Sequence, residues 1–180
     1  MNFEELTRLA MDAGFTHVAP LDVYTIDLKA EVRDMCASGG CGKYGACWSC
    51  PPACGTLEQA ASRIARFDRG ILVQSTAKLA DDFDYDGIQA LSRTHARRFA
   101  ALARQMRLLC ARTLPLSAGP CLVCRRCTCP DRPCRYPSRR ISAMEAYGLL
   151  VSDVCVRSGL AYNYGPGTMT YTSCILYSEE

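Results

Sequence analysis

The sequence predicts an α+β fold, with a small mixed β-sheet, flanking helices and two cysteine-rich loops in a single domain over residues 1–180. Three observations lead to it. Apolar residues at helical spacing alternate with short β-branched and aromatic runs. A chain of 180 residues with 49% hydrophobic content can build one ordinary core. Ten of the 13 cysteines are confined to two stretches, at about 36–54 and 121–134, where glycine and proline interrupt any regular element.

The elements follow in order. Asn2 with Glu5 three residues on has the reciprocal capping pattern, and predicts a helix to about residue 13, stopped at Gly14. Residues 16–21 read as a short strand that Pro20 confines to an edge. After the first cysteine loop, Thr56 and Gln59 repeat the capping pattern, and Leu57, Ala60, Ala61, Ile64 and Phe67 form a helical stripe. Residues 71–76 have buried-strand composition, and 81–86 an acidic turn. The longest helix is expected over 86–113, where Ile88, Leu91, His95, Phe99, Leu102, Met106 and Leu109 align. Most of its arginines lie off that stripe, on what reads as a solvated face. Residues 115–120 lead into the second cysteine loop. Ser142 and Glu145 then repeat the capping pattern and predict a helix to about residue 158, ended by Gly159. Residues 161–177 read as a hairpin turning at Gly165-Pro166-Gly167, with its tyrosines paired across the strands.

Clustered cysteines either cross-link or hold metal. Disulfide-dense scaffolds are usually chains too small to build a core, which this one is not. The first residues carry early acids and do not read as a signal peptide, and no run approaches the ~20 apolar residues of a membrane span. The odd cysteine count fits full pairing poorly. The expectation is therefore a cytoplasmic protein whose cysteines bind metal. Cys110, Cys155 and Cys174 fall in regular elements and read as small core residues.

Spacing narrows the metal. Cys121-x2-Cys124-x2-Cys127 supplies three thiolates in the tight arc that ferredoxin-type loops use for a cubane cluster. Its fourth ligand falls to Cys134, Cys129, or Cys50 (followed by Pro51) from the other loop. The first loop is looser, Cys36-x4-Cys41-x5-Cys47-x2-Cys50-x3-Cys54, with glycines 39, 40, 42 and 45 allowing backbone to wrap closely. Zinc is the competitor, with a four-cysteine ribbon such as Cys47, Cys50, Cys124 and Cys127. Ten cysteines exceed what one ribbon needs, so one or two [4Fe–4S] clusters are expected, with Zn2+ as the alternative.

The net charge of +3 is too small to argue for nucleic acid. Residues 121–140 hold six arginines and one aspartate, an excess expected to lower thiol pKa values in the second loop. The first loop is charge-balanced, and the helix starts at Thr56 and Ser142 would each face an anionic centre. His17 and His95 lie outside the loops and read as structural or surface histidines. Trp48 and Tyr44 read as a shield or as packing for the first loop, and Glu145 as a helix cap.

Tyr44-Gly45, Trp48-Ser49-Cys50-Pro51-Pro52, Gly119-Pro120-Cys121 with Cys124 and Cys127, Pro133-Cys134-Arg135-x-Pro137, and Met144-Glu145-Ala146-x-Gly148 occur in that order. The combination resembles the DUF2284 family of predicted metal-binding proteins, from about residue 30 to the end. The resemblance implies metal but no particular reaction. It makes Cys36, Cys41, Cys50, Cys121, Cys124, Cys127 and Cys134 the recurrent cysteines and best ligands, with Cys47, Cys54 and Cys129 as further candidates. The chain departs from the family at Arg140-Ile-Ser-Ala-Met144, where Arg-Pro-Ser-Met is usual.

Three functions fit: an electron carrier serving a redox partner protein, an enzyme whose cluster keeps an open iron site for a small molecule, and a zinc-stabilised adaptor. Seven recurrent cysteines are one short of two full sets of four, which motivates the open site. Catalytic residues are not assigned by the sequence.

Overall fold

A computed structural model describes residues 2–38, 40–81 and 83–178. Its sheet has five strands, β1 (His17–Asp22), β2 (Arg69–Lys78), β3 (Arg112–Ser117), β4 (Ser142–Ala143) and β5 (Thr168–Ser178), in the order β1-β2-β5-β3-β4. All neighbours are antiparallel except β3 and β4, so the sheet is mixed as expected. The central strands β2 and β5 are buried on both faces and accordingly read as nearly continuous apolar or small runs. Pro20 sits on the edge strand β1, where a missing N–H costs no ladder bond. Pro115 sits inside β3, opposite Ile175, but β4 reaches only Leu116 and Ser117, so its other side needs no donor.

Alternation along the central strands sends side chains into two cores. Ile71, Val73 and Ile175 pack against α1 (Phe3–Asp12) and α4 (Tyr85–Leu109) through Leu6, Phe99, Leu102 and Met106. Leu72, Cys174 and Leu176 face Ile64 of α3 (Leu57–Ile64), Val154 and Cys155 of α5 (Val151–Arg157), and the segment carrying Met144, Tyr147 and Leu149. A further helix, α2 (Ala30–Ala37), lies before the first cysteine loop. Both N-terminal capping boxes form: Asn2 Oδ1 accepts from Glu5 N–H at 2.8 Å, and Thr56 Oγ1 from Gln59 N–H at 3.2 Å. Asp84 in the acidic turn caps α4 by accepting from Gly87 N–H at 2.8 Å.

Four expectations fail. The pattern at Ser142 and Glu145 opens no helix. Ser142 is drawn into parallel pairing with Leu116, Glu145 starts a short 3-10 turn ended by Gly148 at φ 84°, and α5 begins only at Val151. Tertiary pairing there outweighs a cap worth only ~1 kcal/mol. The expected hairpin does not form either: β5 pairs with β2 and β3, Tyr171 stands opposite Ser75, and Tyr177 lies between Arg69 and Thr113. Residues 161–164 instead serve a buried polar group. Gln74 Nε2 donates to Ala161 O (2.9 Å) and Thr172 Oγ1 (3.2 Å), and Tyr164 Oη donates to Gln74 Oε1 (2.7 Å). The long helix stops at Leu109, short of 113, because residues 112–117 are taken by β3, a strand the reading lacked. The helix α2 is not signalled by the sequence either, since its apolar pattern is weak and only Val32 is buried.

His95 is buried, with Nδ1 2.9 Å from Ser75 Oγ and Nε2 2.7 Å from Ser173 Oγ. His17 stacks on Tyr164 with ring centroids 4.1 Å apart. Both histidines are structural. Burial, and secondarily Arg98, lowers the His95 pKa to about 4.

Two outcomes follow. Phe99→Ala should cost ~3–5 kcal/mol in chemical denaturation, whereas the exposed Leu108→Ala should stay within ~0.5 kcal/mol. The depressed His95 pKa means that the unfolded chain binds the extra proton first as pH falls. Its share of stability, about 3 kcal/mol, is intact above the ordinary histidine value near 6.5 and drains as pH drops toward 4. Denaturation of the wild type and of His95→Gln at pH 7 and pH 4.5 should give a markedly shallower pH slope for the variant.

Candidate metal centre

Two lariats build the site, and the segment 142–149 ties both. The second cysteine loop leaves β3 at Ser117 and returns at β4, where the Leu116–Ser142 and Ser117–Ala143 pairs and the Met144 N–H to Ser117 O bond (3.0 Å) close its base. The first loop leaves α2 and ends at the Thr56 cap of α3. Its entry is tied by Lys29 N–H to Gly148 O (2.8 Å) and the Leu28–Leu149 bridge. Gly148 is required there, because a Cβ would fall 2.6 Å from Leu57 Cδ1 and 3.1 Å from Lys29 O. Arg33 Nη2 donates to Gly55 O (2.8 Å), and Arg63 Nη1 to Cys54 O (2.9 Å) and Tyr147 Oη (3.1 Å).

Within the first loop, Cys47–Cys54 fold into consecutive tight turns, with Cys50 N–H donating to Cys47 O and Cys54 N–H to Cys50 O, both at 3.0 Å. Gly42 and Gly45 adopt positive φ, which only the absent Cβ makes inexpensive; Gly39 lies outside the described residues. The two loops then meet face to face. Ser49, fully buried, places Oγ 3.2 Å from Cys47 Sγ and 3.8 Å from Cys50 Sγ, and accepts from the Cys121 N–H at 3.0 Å. Trp48 Nε1 donates across to Arg132 O (3.0 Å), and Cys129 Sγ to Gly45 O (3.6 Å). Trp48 is thus a bridge between loops, while Tyr44 is exposed.

One gathering of thiols lies where the loops meet. The Cys47 thiol is lowered to about 5 by its hydrogen bond to Cys50 above all, against the opposing effect of burial, and further by Ser49 and Cys127. Cys50 is raised, by the same bond first and then by burial. Cys121 is raised by burial and by the fields of Cys47 and Cys124, although Val123 and Ile141 offer it N–H donors. Cys129 is raised by burial, Cys127 and Cys47.

A second gathering lies under the first loop. Cys36 is raised by burial and by Cys41, Glu145 and Cys54. Cys54 donates to Ala146 O at 3.6 Å and is raised by burial against the pull of Arg33, Arg63 and Arg140. Glu145, read from sequence as a helix cap, instead has a buried Oε2 with no hydrogen-bond partner among the described residues, and burial raises its pKa. Cys134 lines a cavity with Trp48, Arg132, Pro137 and Arg140.

The charge pattern also departs from expectation. Cys121 and Cys129 of the arginine-rich loop are raised, by burial first, and not lowered. Arg125, Arg126, Arg132, Arg135 and Arg139 are exposed, and Arg140 acts on Cys54 of the other loop. The exposed guanidiniums lose their leverage to solvent screening. Of the two expected helix starts, the Thr56 cap exists and the one at Ser142 does not.

Among the described residues, no three His, Cys, Asp or Glu side chains are already drawn together at ion-holding distances. The donor chemistry nevertheless fits a thiophilic metal. No disulfide joins any of the 13 cysteines, the sulfurs at the loop junction are sheltered, and backbone N–H groups point at them. Fold and site together define a cysteine-rich α+β protein built to present thiolates from two interlocked loops. A family model described as predicted metal-binding protein, DUF2284, matches residues 19–177, and the chain belongs to that family. Neither the curated proteins nor the solved structures searched contain a match. No helix of the described residues is long and apolar enough to cross a membrane.

Ser49→Ala should loosen the junction, because it leaves the Cys121 N–H without its acceptor. A loss of ~1–3 kcal/mol in denaturation midpoint is expected, together with faster metal release to a chelator than in wild type.

Proposed function

We propose that the chain is a cytoplasmic iron–sulfur protein whose main centre is a [4Fe–4S] cluster held by Cys121, Cys124 and Cys127 with a fourth thiolate from the Cys47–Cys50 pair. The observation carrying this reading is the contact of Cys47 with both Cys50 and Cys127, which brings the cubane-type arc of one loop against the Cys-x2-Cys of the other. Such a cluster supplies one-electron transfer. The residues' part is to hold it: Ser49 orients the Cys47 and Cys50 sulfurs, Val123 and Ile141 donate N–H groups to Cys121, and Trp48 locks the loops together. Cys36, Cys41 and Cys54, with the buried carboxyl of Glu145, form a candidate second centre with fewer than four cysteines. Clustered thiols of this kind persist reduced in a cytoplasm, and a redox partner protein is the natural recipient of the electrons.

A second reading, an enzyme acting on a small molecule, is favoured by the cavity that opens beside Cys121. Zinc in place of iron is the outcome that tests both. Anaerobically purified protein should be brown, contain iron and acid-labile sulfide in equal amounts, and bleach on reduction with dithionite. Cys121→Ser and Cys127→Ser should each lose most of the iron, and Cys155→Ser should keep it. Colourless, sulfide-free protein loaded with zinc would sink the iron–sulfur reading.

A further inference from the structure

A cavity of about 570 Å³ opens between α4 and the chain leaving β3. That volume suits a small molecule, since ligand pockets run ~300–1,000 Å³. Its apolar lining includes Leu122 and Ile141, and Cys121, the first cysteine of the second loop, lines it too. Its charge is one-sided: Arg93, Arg97 and Arg139 line it, and among the described residues no aspartate or glutamate does. Arg93 and Arg97 are one turn apart and project from the same face of α4, while Arg139 comes from the 3-10 turn Pro137–Arg139 that closes the second loop. Two of the guanidiniums are held in place: Arg97 Nη2 donates to Thr94 Oγ1 (3.3 Å), and Arg139 lies over the Tyr136 ring, 5.4 Å from its centroid. The sequence pattern assigned these helix arginines to a solvated face. Arg93 and Arg97 are indeed exposed, and both line this cavity.

We infer that this cavity binds a small organic anion, a carboxylate or a phosphate ester with a compact apolar body. The anion is gripped by the arginines and the apolar body packs on Leu122 and Ile141 beside Cys121. Arginine suits the task because its planar fork meets a carboxylate or phosphate in two parallel hydrogen bonds. The inference rests on the metal reading only for what the ligand would meet at the Cys121 wall. Binding itself needs nothing but the residues of the cavity.

The test is calorimetric titration of anaerobically purified full-length protein with benzoate, phenyl phosphate and the uncharged benzamide, beside iron and sulfide assays of the same samples. Benzoate or phenyl phosphate should bind at least about tenfold more tightly than benzamide, consistent with charge-assisted hydrogen bonds. The double substitution R93Q/R97Q should weaken the anion by about tenfold and leave benzamide unchanged. Filling the cavity with Ala100→Trp, at an exposed lining position of α4, should weaken all three. Equal affinity for benzoate, phenyl phosphate and benzamide overturns the inference, as does anion binding untouched by R93Q/R97Q. Anion selectivity in protein that carries no iron or sulfide upholds the anion site and removes the iron–sulfur reading, so the two fail separately.

Discussion

The site depends on a two-residue parallel pairing. Leu116 and Ser117 of β3 bond with Ser142 and Ala143 of β4, and this closes the base of a loop of some two dozen residues. Without that closure the Cys-x2-Cys-x2-Cys arc would be a long flexible excursion, and its ordering entropy would fall on the metal alone. With it, the return strand delivers Met144, Tyr147 and Leu149 into the core, so the burial that stabilises the domain also sets the loop. The same segment receives the first loop through Lys29, Gly148 and Ala146. One core thus positions both cysteine stretches, and neither can shift without disturbing the other.

Interlocking changes how the thiols are grouped. Taken along the chain, each loop looks like its own centre. In space, Cys47 and Cys50 of the first loop belong with Cys121 and Cys127 of the second, while Cys36 feels the Glu145 carboxyl and Cys54 donates to Ala146 O. Burial dominates the electrostatics of both groupings. Most of the shifted thiols are raised, and Cys47 is lowered because a neighbouring thiol donates to its sulfur. Sheltered thiols, most of the shifted ones raised, that a metal would ionise make binding and loop ordering a single event.

Much of the framework was legible because it is local. The caps at Asn2 and Thr56 form where the sequence placed them, the α4 stripe from His95 to Met106 is buried, and Pro20 marks the edge strand. The failures share a cause. Ser142–Glu145 carries the spacing of a cap, yet a partner strand 26 residues earlier claims Ser142, Leu116 at one end of that span being paired with it. The tail alternates like a hairpin strand, but its partners are β2 and β3, and residues 161–164 are taken by the buried amide of Gln74. Ser49 was visible only as part of a motif. Its role needs a neighbour 72 residues away, the Cys121 N–H.

The sequence by itself determined the donor set of this protein: ten clustered cysteines, the Cys-x2-Cys-x2-Cys spacing, and the order of motifs that places the chain in a family of predicted metal-binding proteins. These are statements about residue types and short spacings, which short-range geometry constrains directly. Only the tertiary structure decided which thiols meet, that Glu145 is a buried acid and not a cap, and that arginines on α4 share a cavity with Cys121. Those depend on strand pairing and loop closure across long stretches of chain, and no local pattern encodes them because the packing of the whole core selects the pairing.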